Sequence, residues 1–227
     1  MGRLFAAAFA FACLIAPSPA VRPRSVAEGI EFQPPEAISV SVFTIPLGSV
    51  AYGTVVLDVT ISAKGEVSKV QVRRDIASMT TEAIRSIKTW KFAPARFNGK
   101  AVPSRMTVAV TFNPMPIITF NNPLPPLTHP EDEAGIQSSY QPPEVTRAPF
   151  PMYPMSAVSP KTVILEVSIN EAGKGESPRV LLDGPPFTAT VVQAIRDWGF
   201  APASLNGRAV ESKLVLAFCF RQFVSNP

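Results

Sequence analysis

Trp90-Lys91-Phe92-Ala93-Pro94-Ala95 recurs 108 residues later as Trp198-Gly199-Phe200-Ala201-Pro202-Ala203. These positions hold both tryptophans of the 227-residue chain, and their falling into register marks a duplication. Working outward at the same shift, Phe32-Gln33-Pro34-Pro35-Glu36 falls on Tyr140-Gln141-Pro142-Pro143-Glu144, and Thr54-Val55-Val56-Leu57-Asp58-Val59 on Thr162-Val163-Ile164-Leu165-Glu166-Val167. Asn98-Gly99 falls on Asn206-Gly207, and Phe112 on Phe220. The unit is far longer than the repeat of a solenoid, so each copy is read as a module.

Each copy has the same local pattern. Val55, Leu57, Val59 and Ile61 alternate with Thr54, Val56, Asp58 and Thr60, the period of a strand with one buried face. Ala63-Lys64-Gly65-Glu66 supplies a turn, and Val67–Val72 returns as the second strand of a hairpin. In copy 2 the turn is Glu171–Gly175, and Pro178 perturbs the return strand, because a proline is tolerated at an edge and not inside a sheet. Met79, Ala83, Ile87 and Trp90, and again Phe187, Val191, Ile195 and Trp198, recur at helical spacing and form one apolar stripe. Ser78, Thr80 and Thr188 are candidate helix caps, and Pro94 and Pro202 end the helices. After the Asn-Gly turns a third strand follows. Its inward set is Met106, Val108, Val110 and Phe112 in copy 1, and Leu214, Leu216, Phe218 and Phe220 in copy 2. The expected fold is α+β: two tandem modules, each a three-stranded antiparallel sheet with a helix on one face.

Arg3, the 13-residue apolar run Leu4–Ala16, Pro17 and the small residues Ser18-Pro19-Ala20 read as a cleaved export signal. A span needs about 20 apolar residues, so no membrane span is expected in the mature chain. Cleavage removes Cys13 and leaves Cys219, hence no disulfide. An oxidising compartment requires that thiol to be shielded. Between the copies, Asn113–Pro160 holds twelve prolines, the acidic run Glu131-Asp132-Glu133 and the chain's one histidine, His129. That composition reads as a semi-rigid connector and His129 as solvated. The expected division is a signal peptide at 1–20, a linker at 21–43, module 1 at 44–113, a Pro-rich linker at 114–151, module 2 at 152–221 and a tail at 222–227.

Chemistry-bearing residues are few. One histidine and two cysteines exclude a zinc ribbon and a disulfide framework. No phosphate loop or nucleophile triad is present, so neither an enzyme nor a cofactor is expected. Asp58 and Glu166 match between copies, as do Asp75 and Asp183. Asp58 and Glu166 lie on the outward set of their strands and are read as solvated. From Val40 to Phe112 ten Lys/Arg oppose four acids, a net charge of +6. From Tyr153 to Arg221 seven oppose six. The first module therefore offers a basic surface around Arg73, Arg74, Arg85 and Lys88 to an anionic envelope partner. Nucleic acid is not expected as a partner of an exported protein.

The order of strand, glycine turn, strand, helix, Trp-x-Phe-x-Pro-Ala exit, Asn-Gly turn and final strand ending in Phe resembles the C-terminal domain of TonB, the periplasmic energy transducer. Tyr153-Pro154-Met155-Ser156-Ala157 resembles the family's opening motif, and copy 1 departs there with Ile45-Pro46-Leu47-Gly48-Ser49. The resemblance implies a periplasmic, non-enzymatic module. It implies that the last strand lies at a sheet edge, beside which an outer-membrane receptor peptide adds. Here that places the partner-binding edges at Thr107, Val108, Ala109, Val110 and Thr111, and at Val215, Leu216, Ala217, Phe218 and Cys219. An exposed edge offers unpaired N–H and C=O groups to an extended peptide. The alternative for these strands is that they pair with each other or with a second chain. Two functions follow. One is a protein-binding accessory to TonB-dependent transport across the outer membrane. The other is a structural envelope protein that self-associates or binds cell wall.

Overall fold

The computed structural model describes residues 31–44, 51–113, 122, 124–127, 140–154, 156, 157 and 159–221. The expected signal peptide with Cys13, residues 21–30 of the first linker, Ile45–Ser49, His129, the acidic run and the tail lie outside the described residues.

The first half comprises β1 (Phe32–Gln33), β2 (Glu36–Ser39), β3 (Gly53–Ile61), β4 (Val67–Arg74), α1 (Ala77–Ile87), β5 (Lys91–Ala93), β6 (Ala95–Phe97), β7 (Lys100–Val102) and β8 (Ser104–Asn113). The second half repeats that order: β9 (Tyr140–Gln141), β10 (Glu144–Arg147), β11 (Lys161–Ile169), β12 (Gly175–Leu182), α2 (Phe187–Ala194) with a 3-10 turn Ile195–Asp197, β13 (Gly199–Ala201), β14 (Ala203–Leu205), β15 (Arg208–Val210) and β16 (Ser212–Phe220). The chain is a sheet-rich α+β protein.

The two halves do not keep separate sheets. One six-stranded sheet runs β12-β11-β16-β8-β3-β4. Its centre is the parallel pair β8–β16, in register Val108↔Val215, Ala109↔Leu216 and Phe112↔Cys219. Every other pair in it is antiparallel. Equivalent residues of the two strands therefore pair one position out of step. Parallel neighbours at one level point to the same side, and the single-residue stagger makes the inward set of one half face opposite to that of the other. The helices consequently lie on opposite faces. Met79, Ala83, Ile87 and Trp90 join Leu57, Val59 and Val108 in one core, whereas Phe187, Val191, Ile195 and Trp198 join Leu165, Val167 and Leu216 in the other. Each core is completed by the outward set of the other half: Ile164, Val215, Ala217 and Cys219 in the first, Val56 and Ala109 in the second. The described residues accordingly all fall in one compact unit. The two tandem modules, each expected to have a three-stranded sheet of its own, instead share one sheet.

Segments expected to be linkers are part of the halves. β2 pairs with β5 and β10 with β13, while β1 and β9 pair with β6 and β14. Each arm also crosses onto the rear face of the other half's strands: Ala37 packs in the core that holds Val215, and Val145 in the core that holds Val56.

Several local expectations have clear physical outcomes. Asn98 and Asn206 take φ 48 and 53, and Gly99 and Gly207 take φ 75 and 76, the double left-handed turn that closes a two-residue hairpin. Pro178 sits in β12, an outermost strand, where no ladder bond is required of it. The helices lack the expected side-chain caps, and their N-cap residues are Ile76 and Pro186. Thr80 and Thr188 reach backward instead. They accept from the N–H of Ile76 and Gly184, at 3.1 and 3.0 Å, and donate to Asp75 and Asp183. Asp75 and Asp183 thus orient the helix starts. The tryptophans are core residues just past the helices, with indole N–H groups donating to Ser41 Oγ at 3.2 Å and the Pro149 carbonyl at 3.1 Å.

Candidate binding edges and grooves

The ten residues expected to form binding edges occupy the middle of the sheet. Thr107, Val108, Ala109, Val110 and Thr111 are bonded on one side to β3 and, from Val108 on, to β16 on the other; Val215, Leu216, Ala217, Phe218 and Cys219 are bonded to both β11 and β8. All ten are buried. The expectation of a free last strand is therefore corrected, because each last strand is the other's partner. The legible sign was the unbroken apolar run Leu214-Val215-Leu216-Ala217-Phe218-Cys219-Phe220. A strand apolar on both faces belongs inside a sheet covered on both faces. Burial pushes the Cys219 thiol up to about 12, and the thiolate is the reactive form. Cys219 is expected to resist a thiol reagent in the folded protein at mildly alkaline pH and to react fully in denaturant. Rapid labelling without denaturant would contradict its burial.

Among the described residues, the outermost strands of the sheet are β4 and β12. Both carry bulges against their single partners. β12 is further interrupted by Pro178 and by Ser177 at φ 47. β4 contains no proline, and Lys69–Val72 pairs with β3 without a break. Of the basic surface expected around it, Arg73 pairs with Asp58 at 3.7 Å, Arg74 with Glu144 at 3.3 Å, and Arg85 with Glu82 at 2.7 Å. Three of the four side chains of that basic surface are thus paired with a carboxylate, which narrows the basic face inferred from composition.

Asp58 and Glu166, expected to be solvated, are 6% and 3% exposed. The arms cover them. Glu166 accepts the Ala37 N–H at 2.7 Å and the Arg179 guanidinium at 3.2 and 2.8 Å, with Lys213 Nζ at 3.8 Å. Lys213 also bonds Glu36. Glu166 therefore ties the first arm to the second half. Asp58 is less well served: Arg73 stands at 3.7 Å and Arg105 at 4.0 Å. Opposite it in the ladder is Gln71, where Glu166 faces Arg179. Desolvation raises the Asp58 carboxyl above its ordinary value, against the lowering by Arg73 and Arg105. A recess of about 220 Å³ lies beside it, lined also by Thr107, Gln141, Pro143 and Glu144. A second, more apolar groove of about 440 Å³ lies on the other face, between the first arm at Val42 and Phe43 and the end of β12 at Leu182 and Asp183.

Among the described residues, no group of three or more His, Cys, Asp or Glu side chains is placed to hold a metal. No helix among them is long and apolar enough to cross a membrane. The arrangement offers strand edges and grooves to a partner.

Residues 50–114 match the family model of the Gram-negative bacterial TonB protein C-terminal. This TonB C-terminal match takes in all of β3 to β8 and both partners of the β3–β8 ladder. The second half, with the same element order, lies outside it. No curated protein matches the chain.

Proposed function

We propose that the chain is a TonB-like protein of the Gram-negative envelope, exported by its N-terminal signal, in which two TonB C-terminal-like modules are clasped together to bind a protein partner. The observation that carries this reading is the TonB C-terminal match over β3–β8 combined with the β8–β16 pairing. Strand addition at the last strands is not available while they pair with each other, so capture of an extended receptor peptide falls to the outer edge β4. That strand lacks proline and lies outside the covered centre. On this reading the protein is an accessory of TonB-dependent transport, and its work is binding, not catalysis.

The same pairing favours a second reading, a structural envelope protein whose duplicated halves hold each other and take no part in transport. Pull-down with N-terminal peptides of outer-membrane receptors separates the two. Successive residues of a strand send their N–H groups to opposite sides. Of Val70→Pro and Gln71→Pro, one deletes a bond to β3 and the other an outward donor. The variant that keeps a near-native melt is expected to lose the peptide. A folded proline variant that binds undiminished removes β4 as the edge, and absence of binding by the unaltered chain leaves the structural reading.

A further inference from the structure

Equivalent grooves on the two faces of the sheet differ in what fills them. On the face of α2, part of the connector lies along the ends of β3 and β4. Asn122 is 7% exposed, and its Nδ2 donates to Thr54 Oγ1 and to the Ala148 carbonyl, both at 2.7 Å. Leu124 packs against the core there, and Arg74 donates to the Pro125 carbonyl. On the face of α1, the positions 108 residues on are Thr162 for Thr54 and Leu182 for Arg74. With Val42, Phe43 and Phe220 they line the groove of about 440 Å³. Val42 is 60% exposed although apolar. The contact recorded for the Thr162 hydroxyl is a weak one to the Cys219 sulfur at 4.0 Å, a poor substitute for an amide donor.

We propose that this groove takes an extended, proline-containing apolar segment of a partner protein. Its binding mode would be that of Asn122 and of Leu124-Pro125-Pro126-Leu127 on the opposite face. A polyproline-type segment is pre-extended and loses little entropy on docking, and its backbone carbonyls and side chains are free to be read. The filled groove supplies the chemistry: an amide donor for the threonine hydroxyl, an aliphatic side chain for the core and a carbonyl toward position 182. The wall at Val42, Phe43 and Leu182 is apolar, which suits leucine and proline. The groove stands apart from the β4 edge, and this inference does not rest on strand addition there.

The probe is a capped synthetic peptide of sequence Asn122–Leu127, titrated into the intact, isotope-labelled chain and followed by amide shifts. Saturable shifts are expected at Phe43, Thr162 and Leu182, with a dissociation constant of about 1 mM or below. Thr162→Val, which keeps the shape and removes the acceptor, is expected to weaken binding roughly three- to tenfold. Leu182→Arg recreates the donor that Arg74 provides and is expected to tighten it by a similar factor. A peptide with alanine in place of each proline is expected to bind more weakly. No saturable shift at about 10 mM peptide, or equal binding by both variants, overturns the proposal. So do shifts confined to Thr54 and Ala148, which would mean exchange with the chain's own segment. Loss of binding in the β4 proline variants alone bears on the edge and leaves the groove untouched.

Discussion

Phe218→Ala is expected to melt both halves of the protein together. Phe218 is fully buried in the core beneath α2, with its ring 5.4 Å from that of Trp198. Truncating a buried phenylalanine costs about 3–5 kcal/mol, as transfer free energy and residual cavity add. The strand that carries it is bonded to β11 on one side and to β8 on the other, so its loss removes a ladder from each half. For a unit of this size the melting temperature should fall by about 10 °C. Trp90 lies in the opposite core and serves as the reporter in a Trp198→Phe background. Its fluorescence transition should move with the far-ultraviolet signal in one step. A Trp90 transition that stays put while part of the secondary structure melts early would show that the halves fold independently.

Glu166→Ala should destabilise the protein and Asp58→Asn should not, although the two carboxylates occupy equivalent positions. Glu166 is saturated, and its loss leaves the Ala37 N–H without its partner in a buried site and takes one carboxylate from Arg179 and Lys213, which keep the Ala37 carbonyl and Glu36. An unsatisfied buried donor costs about 1–3 kcal/mol. Because Arg179 is half-exposed and can be rehydrated, the total expected is about 2–3 kcal/mol, with earlier proteolysis of the first arm. Asp58 carries a raised carboxyl because desolvation outweighs its distant guanidinium partners. A carboxyl with a folded value above its unfolded one binds protons more tightly when folded. Its ionisation therefore takes stability away as pH rises from the unfolded value through the folded value, and the loss is complete above it. Asp58→Asn should be neutral or stabilising at neutral pH and should remove that slope. A clear destabilisation by Asp58→Asn at neutral pH would mean that its ion pairs with Arg73 and Arg105 outweigh the desolvation.

Which side chains could hold a partner was legible only in part. The outward faces of β8 and β16 read as edge faces when each copy is considered alone. Ala109, Val215 and Ala217 are small or β-branched and suit either an exposed strand or a covered one. The hydropathy of Leu214–Phe220 points to the covered one. Asp58 and Glu166 fall on the polar phase of their strands, and alternation assigns that phase to solvent. They are buried because an arm from more than 80 residues away, Pro143–Glu144 over Asp58 and Glu36–Ala37 over Glu166, lies across them. No window of local sequence contains that arm.

The sequence by itself determined the long strands and the helix of each half and their order, and missed the short strands of the arms. Period-two alternation set β3 and β11, helical spacing set α1 and α2, Asn-Gly set the hairpins, and Pro178 sent β12 to the rim. Each follows from backbone geometry within a few residues. Two tryptophans in register pointed to a repeat, and the two halves have the same element order. Only the tertiary structure decided that the last strands pair in parallel with a one-residue stagger, which turns the helices to opposite faces and closes the edges that strand addition would use. That choice depends on burying two apolar strand faces at once against residues about a hundred positions away. Local periodicity records that a face is apolar and leaves open what covers it.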